Sequence, residues 1–192
     1  MGERVLAIRT DRLLLRDFRP EDLPAYAKLR AHAGSRRFSP EGDAIPDRAG
    51  ELLRLFIAWS EERPRLRYQL AVVLPPHEVI GSVGVRADPA SEGQGSFGCE
   101  LDPRRWGRGY AREAARAMIG YGFRELGLHR VYAETLEENA GAIRLAEGLG
   151  MRREGTLREN RRFGGRWWST AVLSVLEYEW TDPPPSTQGS VS

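Results

Sequence analysis

The chain has 192 residues, 41% of them hydrophobic, which suffices for one sizeable core and is short for two. Charged residues make up 29% and nearly cancel to a formal +2, which argues against a basic nucleic-acid arm. One cysteine, Cys99, excludes an internal disulfide, no Cys/His spacing suits a metal, and no run of about 18 apolar residues offers a membrane span.

A cytoplasmic protein without metal is the default expectation. The N-terminus, MGERVLAIRTDR, lacks the long apolar core of an export signal, and Leu6 stands where myristoylation needs Ser or Thr. All but one of the 29 basic residues are arginine; the exception, Lys28, sits in a polar helical stretch, so a catalytic lysine is not expected.

In chain order, RLLLR from Arg12 reads as a strand, and RPEDLPAYAKLRAH as a helix entered through Pro20 with acids at its positive end. A breaker-rich stretch, GSRRFSPEGDAIPD, precedes a second helix near residues 47–62, where Leu52, Leu53, Phe56, Ile57 and Trp59 recur at helical spacing and Pro64 ends the run. YQLAVVL and EVIGSVGVR, joined by PPH, predict two antiparallel strands, and ADPASEGQGS is a polar loop before a third, FGCEL. From Tyr110 an apolar stripe through Ala111, Ala114, Ala115, Met118, Ile119, Gly122, Phe123 and Leu126 predicts a helix packed on a sheet. HRVYAET is a strand, and Asn139 can cap a helix that ends at Gly150. GTLRENRRFGGRWWSTAVLSVLEYEW reads as two strands about a glycine turn, and residues 181–192 as a disordered tail behind a domain of residues 1–180. The fold class is therefore α/β, a mixed sheet carrying helices.

The stretch RRWGRGYA places two glycines and three arginines before the alanine-rich helix. Glycines let main-chain N–H groups approach a ligand, and a helix start adds unpaired donors and a positive dipole end, so the pattern suits an anion; a plain strand-to-helix turn with solvated arginines is the alternative. A dinucleotide fingerprint would need glycine at position 112, which is Arg112, and a P-loop would need Gly-Lys-Ser/Thr, which is absent.

What remains, R-x-x-G-x-G within GCELDPRRWGRGYAREAARAMIGYGFRELGLHRVYAETLEENAGAIRLAEGLGMRREGTLRE, resembles the acetyl-coenzyme A loop of the GNAT N-acetyltransferases. The wider phrase resembles the RimJ/RimL branch of ribosomal-protein alanine/serine N-acetyltransferases. TDRLLLRDFRPEDL, VIGSVGV and GGRWWSTAVLSVLEYEW extend the likeness over residues 8–180. It implies an acyl-coenzyme A N-acyltransferase fold, a mostly antiparallel sheet flanked by helices and splayed between its fourth and fifth strands, FGCEL and RVYAET, with the pantetheine of acetyl-coenzyme A in the opening. It further implies that main-chain N–H groups from Arg105 through Trp106, Gly107, Arg108, Gly109 and Tyr110 to Ala111 hold the pyrophosphate. Arg104, Arg105 and Arg108 would be phosphate partners, and Asn139 would contact the pantetheine arm besides capping its helix. A strand N–H near Leu101 would stabilise the thioester oxyanion.

Amine acetylation needs an unprotonated nucleophile, hence a base or a water chain. Glu100, on the strand beside the expected thioester, is the first choice, through burial that would raise its basicity; binding substrate or pairing with an arginine is the alternative role. Glu134 is the reserve, and His129 reads as a surface residue. The chain departs from family habit at Ala142, where relatives often carry a serine that protonates the leaving thiolate, and at Ser169 and Leu173, where aspartate and tyrosine are common. A thiolate of pKa near 8 to 9 leaves with little help, so activity need not be lost.

The expected acceptor is a primary amine, first a protein N-terminal α-amino group attacked directly in a ternary complex. A small amine such as a polyamine, an aminoglycoside or an amino-acid derivative, and a non-catalytic acyl-coenzyme A-binding module, remain alternatives. A homodimer is compatible with the likeness; no membrane or direct nucleic-acid partner is expected. Trp167 and Trp168 beside Arg161, Arg162 and Arg166 invite a base-stacking role, against which strand alternation favours one core tryptophan in a solvated loop.

Overall fold

A computed structural model describes residues 6–38 and 48–181. Eight strands, β1 (Ala7–Arg9), β2 (Leu14–Asp17), β3 (Arg67–Leu74), β4 (Glu78–Ala87), β5 (Gln94–Leu101), β6 (Arg130–Leu136), β7 (Arg152–Phe163) and β8 (Arg166–Leu176), form one sheet in the order β1-β2-β3-β4-β5-β6-β8-β7. The helices are α1 (Leu23–Ala31), the short α2 (Ala33–Arg36), α3 (Arg48–Glu61), α4 (Tyr110–Arg124) and α5 (Ala140–Gly148).

Side-chain alternation along the strands divides the apolar residues into two cores, one per face. On one face Leu15, Leu70, Val83, Val85, Val131 and Leu173 meet the α4 stripe of Ala114, Ala115, Met118 and Ile119, all fully buried. Burying Met118 and Ile119 alone contributes about 1.5–3 kcal/mol each, far more than any surface ion pair of the fold. On the other face Phe18, Tyr26, Leu53 and Phe56 of α1, α3 and the preceding loop cover Ala71, Val73 and Val79. That second cover is partial, and the same face over β5, β6 and β8 carries polar residues instead.

The strand expected from Arg12 starts at Leu14, and the three-residue β1 was not anticipated. β5 begins at Gln94, inside the stretch read as loop, because Gly95 and Ser96 pair with Ala87 and Arg86 on one side and with Val131 and Tyr132 on the other. Two-sided main-chain pairing overrides the low strand propensity of glycine and serine. With β1 counted, the fourth and fifth strands of the sequence reading are β5 and β6.

Every neighbouring pair is antiparallel except β5 and β6, which run parallel and are joined by α4, the crossover that parallel strands require. Their pairing covers only Gln94↔Arg130 through Phe97↔Ala133. Beyond it β5 stays with β4 as far as Gly81↔Leu101, while β6 follows β8 to Leu136↔Thr170. The sheet therefore splays, and the facing edges of residues 98–101 and 134–136 border a wedge-shaped opening.

Candidate functional site

The loop from Asp102 to Gly109 closes the mouth of this opening. Asp102, nearly buried, accepts from the Arg104 N–H at 2.9 Å and caps the 3-10 turn Pro103–Arg105. Gly107 and Gly109 both lie at positive φ, +73° and +80°, where an L side chain is strained, and Gly109 stands as the N-cap of α4. Arg105 and Trp106 N–H groups bond back to Asp102 and Pro103 carbonyls. The next six, from Gly107 through Arg112, have no acceptor among the described residues. An array of free donors beside the start of a four-turn helix is a strong site for a diphosphate.

The three arginines differ. Arg104 is tied to the Asp102 carboxylate, and Arg105 to Glu78 at 2.6 Å, so both charges are engaged within the protein. Arg108 has no side-chain partner among the described residues. Trp106 lies 55% exposed with its indole N–H on the Leu101 carbonyl at 2.9 Å.

Sequence reading missed what holds the loop from below. Glu113, in the first turn of α4, accepts from Thr10 Oγ1 at 2.6 Å, from the Arg12 N–H at 2.8 Å and from Arg12 Nε at 2.7 Å. Arg12 also donates to the Arg108 carbonyl at 2.9 Å and lies 4.7 Å from the Tyr110 ring centre. An ion pair this exposed adds at most about 1 kcal/mol to stability, so its consequence is position: it fixes the loop against β2. The only available signal was the acid at the start of α4 together with the Thr-x-Arg entry to β2.

Asp102 makes the loop sensitive to acid. Side-chain bonds from Arg104 hold its carboxyl below the ordinary value, against the opposing effect of burial. A carboxyl lowered in the folded state stabilises fully above the unfolded value and loses that contribution as pH falls through the folded one. The urea midpoint should therefore drop between about pH 5 and pH 2, and drop less steeply in Asp102→Asn, as equilibrium unfolding at each pH will record.

Inside the opening, the Asp102 N–H donates to Ile80 on β4 at 2.8 Å, and N–H groups alternate between a strand's edges. The N–H of Leu101 therefore faces the opening, as does its carbonyl, which Trp106 caps. Glu100 projects to the α1 face, 26% exposed, and accepts from Arg30 Nη1 at 2.9 Å. Its carboxylate thus sits in an ion pair, the alternative of the sequence reading, and not in an apolar pocket. Burial pushes the Cys99 thiol up to about 12, with the Glu100 charge adding to the effect. That thiol is not a nucleophile near neutral pH.

Glu134, across the opening, is exposed and bound to Arg161 at 3.2 Å. Asn139 caps α5 by accepting from the Ala142 N–H at 3.2 Å. Ser169 accepts from the Glu159 N–H, and Leu173 is buried in the core under α4. His129 is exposed beside Glu177. Trp168 stacks on Phe163 at 4.7 Å, whereas Trp167 is exposed under Arg162. Among the described residues no cluster could hold a metal ion, and no helix is long and apolar enough to cross a membrane. The expected tail lies outside the described residues apart from Thr181.

Known proteins share the sequence pattern and the architecture of this chain. A family model described as an acetyltransferase (GNAT) domain matches residues 12–152. The uncharacterized N-acetyltransferase YnaD of Bacillus subtilis is 30% identical over 90% of this chain and 98% of its own length. A GNAT-family acetyltransferase from Bacillus anthracis superposes with TM-score 0.77 at 27% identity, covering 90% of this chain and 99% of that one. Ribosomal-protein-S5-alanine acetyltransferase from Vibrio fischeri shares the fold, with TM-score 0.77 at 20% identity over 92% of this chain and 100% of that one.

Proposed function

The chain belongs to the GNAT acetyltransferase family, whose members are acetyl-coenzyme A-dependent N-acetyltransferases, and from that premise we propose that its acceptor is a protein N-terminal α-amino group. The observation that carries the site assignment is the run of six N–H groups from Gly107 through Arg112, which have no acceptor among the described residues and lie at the mouth of the splay. The fit to the cofactor is steric as well: a Cβ built on Gly107 meets nothing within 4 Å, so the bare backbone faces open space. The protein-acceptor reading draws support from the RimJ/RimL-like phrase of the sequence and from the ribosomal-protein acetyltransferase that shares the fold.

When bound, acetyl-coenzyme A supplies an activated acyl group on a thiol that leaves readily. The chain supplies the rest. Residues 107–112 and Arg108 hold the diphosphate, and Asn139, already a helix cap, borders the pantetheine path. Leu101 N–H meets charge developing on the acyl oxygen. Glu100, positioned by Arg30, accepts a proton from the incoming ammonium, directly or through water. The amine attacks the thioester directly, and Cys99, the one thiol of the chain, takes no part because burial keeps it protonated.

Coenzyme A release, followed with peptides bearing free or blocked N-termini and with spermidine and an aminoglycoside, tests the reading. Turnover with free N-termini, with the acetyl group mapped to the α-nitrogen, is the expected result. Turnover with small amines alone overturns the acceptor, and binding without release to any of them overturns the enzyme.

A further inference from the structure

At the apex of the opening, on the face that α1 and α3 leave uncovered, one guanidinium has no counter-charge among the described residues. Arg86 of β4 donates through Nη1 to Gln69 Oε1 at 2.7 Å and through Nε to Ser96 Oγ at 3.2 Å, both neutral acceptors. Gln69 and Ser82, both buried, fix each other at 3.1 Å and so hold the acceptor side of that arrangement rigid. Burial lowers the Arg86 pKa, opposed only by Tyr132, and no carboxylate pairs with it among the described residues.

A guanidinium carries five N–H donors, so Arg86 keeps three after its two bonds. Both N–H groups of Nη2 are among them, and Nη2 lies over Gly98, 3.0 Å from where a Cβ would stand. Gly98 is the first β5 residue past the last β5–β6 rung, Phe97↔Ala133. Glu100 follows on the same face, about 7 Å further along the strand. The acceptor side of the opening thus presents a carboxylate at one end and, at the other, a cation anchored from behind that bonds only neutral acceptors among the described residues.

Taking the opening as the acyl-transfer site, we propose that Arg86 determines acceptor specificity by receiving a carboxylate of the substrate, so that amines carrying a negative charge a few ångströms away are preferred and polycations are disfavoured. The carboxylate belongs either to an acidic side chain near a peptide N-terminus or to a free amino acid. Guanidinium suits it because its planar fork matches a carboxylate, and because the desolvated cation gains most from a charged acceptor.

The test uses pairs that differ only in charge: peptides beginning Ser-Glu and Ser-Gln, and an amino acid with its own carboxamide. Wild-type kcat/KM should favour the charged member of one pair by about 10-fold or more, the worth of a hydrogen bond to a charged group. The pair that shows the preference identifies the source. Arg86→Met should close the gap by raising KM for the charged member while acetyl-coenzyme A affinity, measured by calorimetry, holds; Arg86→Lys should retain part of it. A wild-type ratio near one for both pairs, or an Arg86→Lys that weakens acetyl-coenzyme A itself, overturns the proposal. Cofactor binding without turnover of any acceptor overturns it together with the enzyme reading, whereas turnover with no charge preference overturns it alone.

Discussion

Gly107→Asp should abolish acetyl-coenzyme A binding while leaving the fold intact, a loss of about 100-fold or more in affinity read by calorimetry. Two effects add. At φ +73° an L side chain costs about 1–2 kcal/mol of backbone strain, which shifts the loop away from the conformation that exposes its N–H groups. The larger effect is charge: a carboxylate about 4 Å from a diphosphate oxygen repels it by about 4 kcal/mol at the effective dielectric of a protein surface. Nothing in the protein lies within 4 Å of the new Cβ, so unfolding is not the expected cause. Gly107→Ala isolates the strain and should cost no more than about 30-fold. Gly109 is a poorer probe, because its Cβ would come 3.3 Å from Arg12 Nη2 and disturb the clamp on Glu113. Wild-type affinity in Gly107→Asp would refute the loop as the diphosphate site.

The loop was legible in the sequence because its logic is local: two glycines, then a helix whose stripe announces which face is buried. The stripe of α4 and the βαβ unit around it follow from periodicity alone. What holds the loop was not legible, since Arg12 and Glu113 are 101 residues apart and meet only after β2 and α4 are placed on the same sheet. Arg30 and Glu100, 70 residues apart, form a pair for the same reason, and this pairing fixes the position of the Glu100 carboxylate. Periodicity reports which face is buried and is silent on which charge waits across the fold. Arg86 had a faint signal, an arginine at the end of an otherwise apolar strand, but only the parting of β5 from β6 gives that position meaning. Ser96 and Gly95 show the converse, with pairing on both edges making strand of residues that read as loop.

Glu100→Gln should leave acetyl-coenzyme A binding unchanged and lower kcat by about 100-fold near neutral pH, the scale of a lost general base. The substitution keeps the shape of the side chain and one acceptor for Arg30, and it lies outside residues 107–112, the proposed diphosphate site. The deficit should widen as pH falls, because fewer acceptor amines are then free and deprotonation on the enzyme matters more. It should narrow at alkaline pH, where solvent has already removed the proton. That slope separates the base from the ion pair. If Glu100 served only to position Arg30, Arg30→Gln would reproduce the loss and both variants would run parallel to wild type across the pH range. If Glu134 were the base, Glu134→Gln would carry the pH-dependent deficit, although its exposed pairing with Arg161 gives it no restraint toward β5. The geometry favours Glu100, which is held at 2.9 Å by a half-buried arginine one residue before the N–H that faces the opening. A Glu100→Gln enzyme with wild-type kcat at pH 6 would remove it from the proton path.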